Sequence, residues 1–97
     1  IIATAKAAIE GLTVTLAAEF APSIRVNCIA PSLTNSKISQ SMLKSPVVAE
    51  ALAKAHPLKR LGEGEDSASL AKFLMSDESS WVTGQIIGVD GGRSSLS

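Results

Sequence analysis

Two short β-branched segments lie far apart in this 97-residue chain, and their spacing restricts the fold more than any other feature. Alternating apolar residues predict a strand over residues 24–30, in IRVNCIA, and a second over residues 85–89, in QIIGV. The residues between them have helical patterns, and strands joined by a long helical crossover pair in parallel with a right-handed connection. A two-stranded sheet is not stable alone, and parallel strands are normally covered on both faces. The sequence therefore predicts an α/β fold whose sheet is completed by upstream strands of the same domain or by a second copy of the chain.

Helical periodicity predicts one helix before the first strand and two helices between the strands. The first spans residues 3–20, the second spans residues 47–56 behind Pro46, and the third lies in residues 65–77. The apolar stripe of the first helix consists of Ile9, Leu12, Leu16 and Phe20. On the third helix, the side chains expected to face inward are Ala68, Leu70, Ala71, Leu74 and Met75. Small residues on a second flank of the first helix, Gly11 among them, predict a close neighbour there. The tail RSSLS is polar and is expected to fray.

Charge and cysteine content exclude several classes of protein. Nine Lys and Arg balance nine Asp and Glu, so no basic face is available for nucleic acid. No apolar run is long enough to cross a bilayer, and no signal peptide is recognisable at the start. The single cysteine, Cys28, excludes an internal disulfide and fits a reducing compartment. The default expectation is a cytoplasmic protein without a membrane or nucleic-acid partner.

Two long stretches carry a family resemblance. AKAAIEGLTVTLAAEFAPSIRVNCIAPS resembles the segment after the active-site tyrosine of short-chain dehydrogenases/reductases, and HPLKRLGEGEDSASLAKFLMSDESSWVTGQIIGVDGG resembles the carboxyl-terminal segment of that family. The resemblance extends from Ala3 to Gly92. It implies that residues 1–97 form a single partial domain, the carboxyl-terminal portion of a doubly wound Rossmann-like sheet. It also implies that the first strand is the sixth of seven and that residues 32–60 belong to the substrate-binding segment.

Lys6 matches the lysine of the family's catalytic set. In the family, a tyrosine four residues earlier transfers the proton while NAD or NADP transfers the hydride. The lysine lowers the tyrosine pKa and holds the nicotinamide ribose. Here that earlier position is Ile2, which has no titratable proton. The catalytic serine, the catalytic asparagine and the Gly-rich turn that receives the pyrophosphate have no counterpart in these residues, so we expect no tight dinucleotide binding by this chain alone.

The second implied cofactor site is PSLTNS, residues 31–36. The resemblance assigns nicotinamide contacts to the backbone and hydroxyl groups of Pro31, Ser32, Leu33, Thr34 and Ser36. Family members usually have glycine where Ser32 stands and threonine where Ser36 stands. Ser36 keeps a hydroxyl, whereas Ser32 adds a Cβ where a ligand would approach the backbone. Gly64 replaces the proline that usually begins the third helix, a change that affects helix initiation and not chemistry.

Simpler interpretations of the same residues remain open. Lys6 could be a solvated helix residue paired with Glu10, and Cys28 is typical of a buried structural thiol. His56 suits a helix carboxyl terminus, and no second His or Cys lies near it to bind a metal. Trp81 is interpreted as a packing or interface residue. The acidic residues Glu63, Glu65 and Asp66 favour a helix start and not a catalytic pair.

Two functions follow from these observations. The chain is either part of an NAD(P)-dependent oxidoreductase acting on a carbonyl or alcohol, inactive as an isolated chain, or a catalytically silent half-domain that associates with itself. In the first case its partner is the upstream half of the domain. An exposed sheet edge and apolar surface favour association, so in either case we expect a homodimer or homotetramer. The resemblance implies that the contacts use the first helix, the third helix and the last strand.

Overall fold

Helix α1 (Ile2–Phe20) occupies the first fifth of the chain. The structure, a computed structural model, describes residues 1–37 and 39–96, and of Ile2 it describes the backbone alone. The alanine-rich sequence favours a helix. The helix ends where Ala21 becomes extended (φ −64°, ψ 144°), as expected for a residue that precedes proline. The predicted helix is confirmed, with its start one residue earlier.

The two predicted strands form a two-stranded parallel sheet of β1 (Cys28–Pro31) and β2 (Ile86–Val89). The N–H of Cys28 donates to Gln85 O (2.8 Å), and four residues later the N–H of Ser32 donates to Val89 O (3.1 Å). Both donors and acceptors advance by four residues in the same chain direction, so the two strands are parallel. The α/β, Rossmann-like fold class is therefore confirmed.

Strand β1 begins four residues later than the sequence pattern predicts, and this part of the prediction is wrong. The amide of Asn27 replaces the backbone ladder, since its Oδ1 accepts from Gln85 N (3.0 Å) and its Nδ2 donates to Val82 O (3.0 Å). The N–H of Val26 donates to the Thr83 hydroxyl (3.1 Å). Residues 26 and 27 therefore run beside residues 82–85 through these side-chain hydrogen bonds together with one from the backbone N–H of Gly84 to Val26 O (2.7 Å). Alternation of apolar residues does not reveal such mixed pairing.

The remaining helices are α2 (Pro46–Lys54), α3 (Gly64–Leu74) and the short α4 (Arg93–Leu96). Ser45 caps α2 by accepting from Val48 N, and Pro46 occupies its first turn as predicted. Helix α2 ends before His56, and α3 ends before Met75, so both are shorter than predicted. Two 3-10 turns, Met42–Lys44 and Asp77–Ser79, lie outside the α-helices.

The prediction of a frayed tail is wrong for residues 93–96, and Ser97 lies outside the described residues. The Asp90 carboxylate accepts from the N–H groups of Gly92 (2.9 Å) and Ser94 (3.4 Å). These bonds satisfy donors at the start of α4. Hydrogen bonds with Ser94 and with Gly92 N–H lower the pKa of Asp90, as expected for a carboxylate that caps a helix.

The chain consists of two compact units, Ile1–Ile29 with Leu70–Ile87, and Ala30–Ser69 with Gly88–Ser97. In the first unit, Thr13 and Ala17 form the buried side of α1. Of the predicted stripe, Leu16 is half-buried, whereas Ile9, Leu12 and Phe20 are exposed, so most of the stripe is not covered within this unit. Of the inward side chains predicted for the third helix, Leu70, Ala71 and Leu74 are half-buried as expected. The predictions for Ala68 and for Met75, which follows the end of α3, are wrong because both are exposed.

No close neighbour of Gly11 occurs among the described residues, since an added Cβ would meet nothing within 4 Å. Replacing Gly11 with alanine is therefore expected to stabilise the chain by about 0.5–1 kcal/mol, the difference in helix propensity. Urea unfolding monitored by circular dichroism measures this change. A loss of stability, or a smaller assembly in sedimentation, would show instead that a second chain approaches α1 at this position.

Candidate functional site

Lys6 lies on an exposed part of α1 in the first unit. Across residues 1–37 and 39–96, it makes no hydrogen bond or ion pair with any described side chain, so the pairing with Glu10 is not formed. Ile2 begins the same helix one turn earlier, but its side chain lies outside the described part. The ammonium of Lys6 is therefore available to a partner that this chain does not supply.

The turn of residues 31–36 belongs to the second unit and starts where β1 ends. The N–H of Ser32 extends the sheet by donating to Val89 O, and the Ser32 carbonyl accepts from the Thr34 hydroxyl (3.0 Å). A parallel bridge then joins Thr34 to Gly62, in which Asn35 N donates to Gly62 O (2.8 Å). Consecutive residues of the turn are thus fixed by backbone hydrogen bonds to two other segments.

Gly62 permits this close approach. A Cβ at Gly62 would lie 3.1 Å from the Thr34 Oγ1 and 3.4 Å from the Leu33 carbonyl oxygen. Its N–H donates to that same carbonyl (3.1 Å). The glycine therefore holds the backbone of the turn at a distance that a larger residue would increase.

Ser39 organises the second half of the turn, and sequence reasoning did not identify it. Its side chain is 8% exposed. Its Oγ accepts from Ser36 N (2.9 Å) and donates to Thr34 O (2.7 Å), while the Ser36 hydroxyl lies 3.3 Å from the same Oγ. The S-x-x-S spacing was the available signal, because serine hydroxyls commonly bond to backbone groups a few residues away. Ser36, proposed as a cofactor contact, thus also has a structural partner.

His56 is the other residue whose part in the site the sequence did not reveal. Its sequence position suits the carboxyl end of a helix, but the structure buries the residue, which is 3% exposed. Its Nδ1 lies 2.8 Å from Leu52 O and its Nε2 lies 3.0 Å from the Ser32 hydroxyl. The fold therefore brings together Ser32 and His56, which are 24 residues apart in the sequence.

Two further candidates, Cys28 and Trp81, have no evident chemical role in the structure. Cys28 is half-buried and unpaired within the described chain. Trp81 is 98% exposed, so it does not pack within the described residues. The described residues also contain no cluster of three or more His, Cys, Asp and Glu side chains that could hold a metal, and none of their helices combines the length and hydrophobicity needed to span a membrane.

A charged fork fixes the start of α3, as the acidic residues there predicted. The Arg60 guanidinium donates to both Asp66 oxygens (2.8 and 2.9 Å), and Asp66 Oδ2 also accepts from Glu63 N (2.7 Å). The hydrogen bond from Arg60, followed by the one from Glu63 N–H, holds the pKa of Asp66 well below its usual range. The hydrogen bond from Glu63 N–H to the Asp66 carboxylate, three residues later, is the one found in a capping box.

The depressed pKa of Asp66 makes stability depend on pH. Because the folded pKa lies below the unfolded value of about 3.9, the stabilisation is present above about pH 4 and is lost as pH falls through the folded pKa. We expect Asp66→Asn to lower the melting temperature at about pH 7 and to show a smaller further loss than wild type towards about pH 2. Glu65→Gln, in the same helical turn but outside the fork, is the control. Parallel pH profiles for wild type and Asp66→Asn would contradict the assignment.

Comparisons with known proteins identify relatives of this chain and solved structures with its fold. The family model described as enoyl-(acyl carrier protein) reductase matches residues 1–94. The human dehydrogenase/reductase SDR family member 4 is 42% identical over 91 residues, which are 93% of this chain and 33% of that protein.

Two solved structures have the same fold. A gluconate dehydrogenase from Agrobacterium tumefaciens, described as putative, superposes with a TM-score of 0.89 at 35% identity, covering 97% of this chain and 38% of that one. A 4-hydroxyisoleucine dehydrogenase complexed with NADH superposes with a TM-score of 0.87 at 28% identity, covering 93% and 37%. The chain thus spans between a third and two fifths of the length of these proteins.

Proposed function

Since the chain belongs to the short-chain dehydrogenase/reductase family, we propose that it supplies the carboxyl-terminal part of an NAD(P)-dependent oxidoreductase that acts on a carbonyl or alcohol. The observation that carries this proposal is the 31–36 turn, whose backbone is held by hydrogen bonds with Val89 O, the Gly62 backbone and the Ser39 hydroxyl. A preformed turn after a parallel strand is the usual place for a ligand in an open α/β sheet. The NADH complex of a structural neighbour supports a nicotinamide cofactor.

The residues present fit the nicotinamide end of such a cofactor. Each unit contributes its own part of this proposal, as the family resemblance assigns it. In the first unit, the exposed Lys6 ammonium would donate to the ribose hydroxyls. In the second unit, the backbone of Pro31, Ser32, Leu33 and Thr34 and the Ser36 hydroxyl would contact the carboxamide. When bound, the cofactor exchanges a hydride with the substrate carbon. The chain's own contribution is to position the nicotinamide ring and to place a positive charge near the group that moves the proton.

We further propose that these 97 residues alone do not catalyse the reaction. Ile2 occupies the position four residues before Lys6, where the family has its proton-transferring tyrosine. The sequence also contains no Gly-rich turn that could bind the pyrophosphate at a helix N-terminus. Turnover of any alcohol or ketone with NAD(P)(H) by the purified chain would refute this proposal.

A self-associating half-domain is the second candidate, and the exposed apolar side chains of the first unit favour it. On α1, Ile9 and Leu12 are 55% and 56% exposed, and large apolar side chains of this kind mark interaction surfaces when they are contiguous. In this case the fold is inherited from an oxidoreductase but has no catalytic role, and the protein is a homodimer or homotetramer without cofactor.

Native mass spectrometry of the purified protein tests both candidates, because it reports chain mass, copy number and retained nucleotide together. A complex with a further polypeptide and the mass of a dinucleotide supports the oxidoreductase. A bare homo-oligomer of the 10.0 kDa chain supports the half-domain and contradicts the oxidoreductase. Collisional dissociation of the complex, which identifies each component, is the control against accidental co-purification.

A further inference from the structure

The hydrogen bond between Ser32 and His56 has a defined direction. A carbonyl oxygen can only accept, so the Nδ1 of His56, 2.8 Å from Leu52 O, carries the proton. In the neutral ring the Nε2 then has a lone pair, and the Ser32 hydroxyl donates to it at 3.0 Å. The carbonyl of Leu52, on α2, therefore determines the tautomer of the imidazole. That tautomer in turn determines that the Ser32 hydroxyl is the donor in its bond with Nε2.

The position of the His56 imidazole is fixed by backbone hydrogen bonds and by packing. His56 N donates to Ala53 O (3.1 Å), and its carbonyl accepts from Lys59 N (2.8 Å). Its Cβ and Cδ2 pack against Gly91, where an added Cβ would lie 3.5 Å and 3.8 Å from them. A buried ring with both nitrogens and its own backbone bonded has little freedom to move.

Ser32, in turn, has all three of its polar groups occupied. Its N–H donates to Val89 O, its carbonyl accepts from Thr34 Oγ1, and its hydroxyl donates to His56. A glycine at this position would keep the two backbone hydrogen bonds but, having no hydroxyl, would lose the one to His56. Residue 32 is therefore ordered before any ligand arrives, and pre-ordering lowers the entropic cost of binding.

We propose that His56 is a positioning residue: through the Ser32 hydroxyl it holds the 31–36 turn in the conformation that receives the nicotinamide end of a dinucleotide. This inference rests on the proposed function and goes beyond it by assigning a role to His56 and a reason for serine at position 32. His56 acts through Ser32 and does not contact the ligand.

The first test is nuclear magnetic resonance of the full chain. In wild type, the ¹⁵N shifts of His56 should show a protonated Nδ1 and an acceptor Nε2. In Ser32→Ala, the Nε2 shift should change, and the amides of Ser32, Asn35 and Ser36 should exchange about three- to tenfold faster, the factor expected for one net hydrogen bond. Ser32→Thr, which keeps a hydroxyl, should restore both properties.

Ser45→Ala is the matched control, because it removes a helix cap from the other end of α2 and leaves the Ser32–His56 hydrogen bond in place. It should leave the exchange of the turn unchanged. If Ser45→Ala accelerates exchange in the turn as much as Ser32→Ala does, the contact is merely structural and the inference is overturned.

The second test is a titration with nicotinamide mononucleotide, which carries the nicotinamide and ribose but needs no second nucleotide site. It should shift the amides of the turn in wild type and Ser32→Thr, with a dissociation constant about three- to tenfold higher in Ser32→Ala. Equal affinity in all three proteins would overturn the positioning role and leave the proposed function standing. No shift in any of them would remove the cofactor site at this turn, and with it both proposals.

Discussion

Replacing Gly92 with alanine is expected to destabilise the protein by about 2–4 kcal/mol. Gly92 has a φ of +87°, which alanine adopts only with strain. The new Cβ would also lie 3.0 Å from Leu96 Cδ1 and 3.2 Å from the Cβ and Cγ of Pro57. The leucine side chain can rotate away, but the proline ring cannot, so the backbone must move. Urea unfolding with linear extrapolation measures the change.

Gly11→Ala is the control for this variant, because it adds the same methyl group where nothing lies within 4 Å. The two variants should therefore change stability in opposite directions. A loss of less than about 0.5 kcal/mol in Gly92→Ala, the range of an ordinary surface change, would mean that the turn after β2 relaxes freely and that this explanation is wrong.

Removing the Arg25 guanidinium is expected to destabilise the first unit by about 2–3 kcal/mol, the range for hydrogen bonds to a charged group that leave buried acceptors unpaired. Arg25 donates to Ser79 Oγ (2.8 Å) and Ser76 O (3.1 Å), and more distantly to Val82 O (3.4 Å). Ser79 is fully buried in the intact chain, so its hydroxyl is poorly placed to gain a hydrogen bond from bulk water when the guanidinium is removed. Thermal and urea unfolding of Arg25→Ala measure this loss.

A double-mutant cycle with Ser79→Ala separates this pair from general damage. Arg25→Lys keeps the charge but lacks the planar fork, so it should recover only part of the stability. Lys72→Ala, on an exposed part of α3, is the surface control. Additive effects of Arg25→Ala and Ser79→Ala would show that the two side chains do not stabilise each other.

These interactions bear on function through the rigidity of the turns. The hydrogen bonds of the Arg25 guanidinium to Ser76, Ser79 and Val82 fix the segment ahead of β2. The 31–36 turn after β1 is fixed by Gly62, by Ser39 and by the Ser32–His56 hydrogen bond. A binding site built on fixed segments loses less entropy when the ligand arrives. Under the proposed function, variants of Gly62, Ser39 and Ser32 are therefore expected to change ligand affinity as well as stability.

The regular elements were largely predictable because their signals are local. Alanine-rich periodicity defined α1, and Pro46 marked the start of α2. The acidic first turn of α3 also agrees with its prediction. Boundaries were less predictable where a side chain replaces the backbone ladder, as Asn27 does before β1, or caps a short helix, as Asp90 does for α4.

The candidate site divides in the same way. The sequence determined the family and predicted the lysine of the first helix and the turn after the strand as site residues, since each depends on residue types at fixed spacing along the chain. Only the tertiary structure showed that His56 holds Ser32, that Ser39 organises the second half of the turn and that Arg25 bonds to Ser79. Two of these contacts join residues that are 24 and 54 positions apart. A hydrogen bond acts over about 3 Å, so such partners are identified only once folding has brought the segments together.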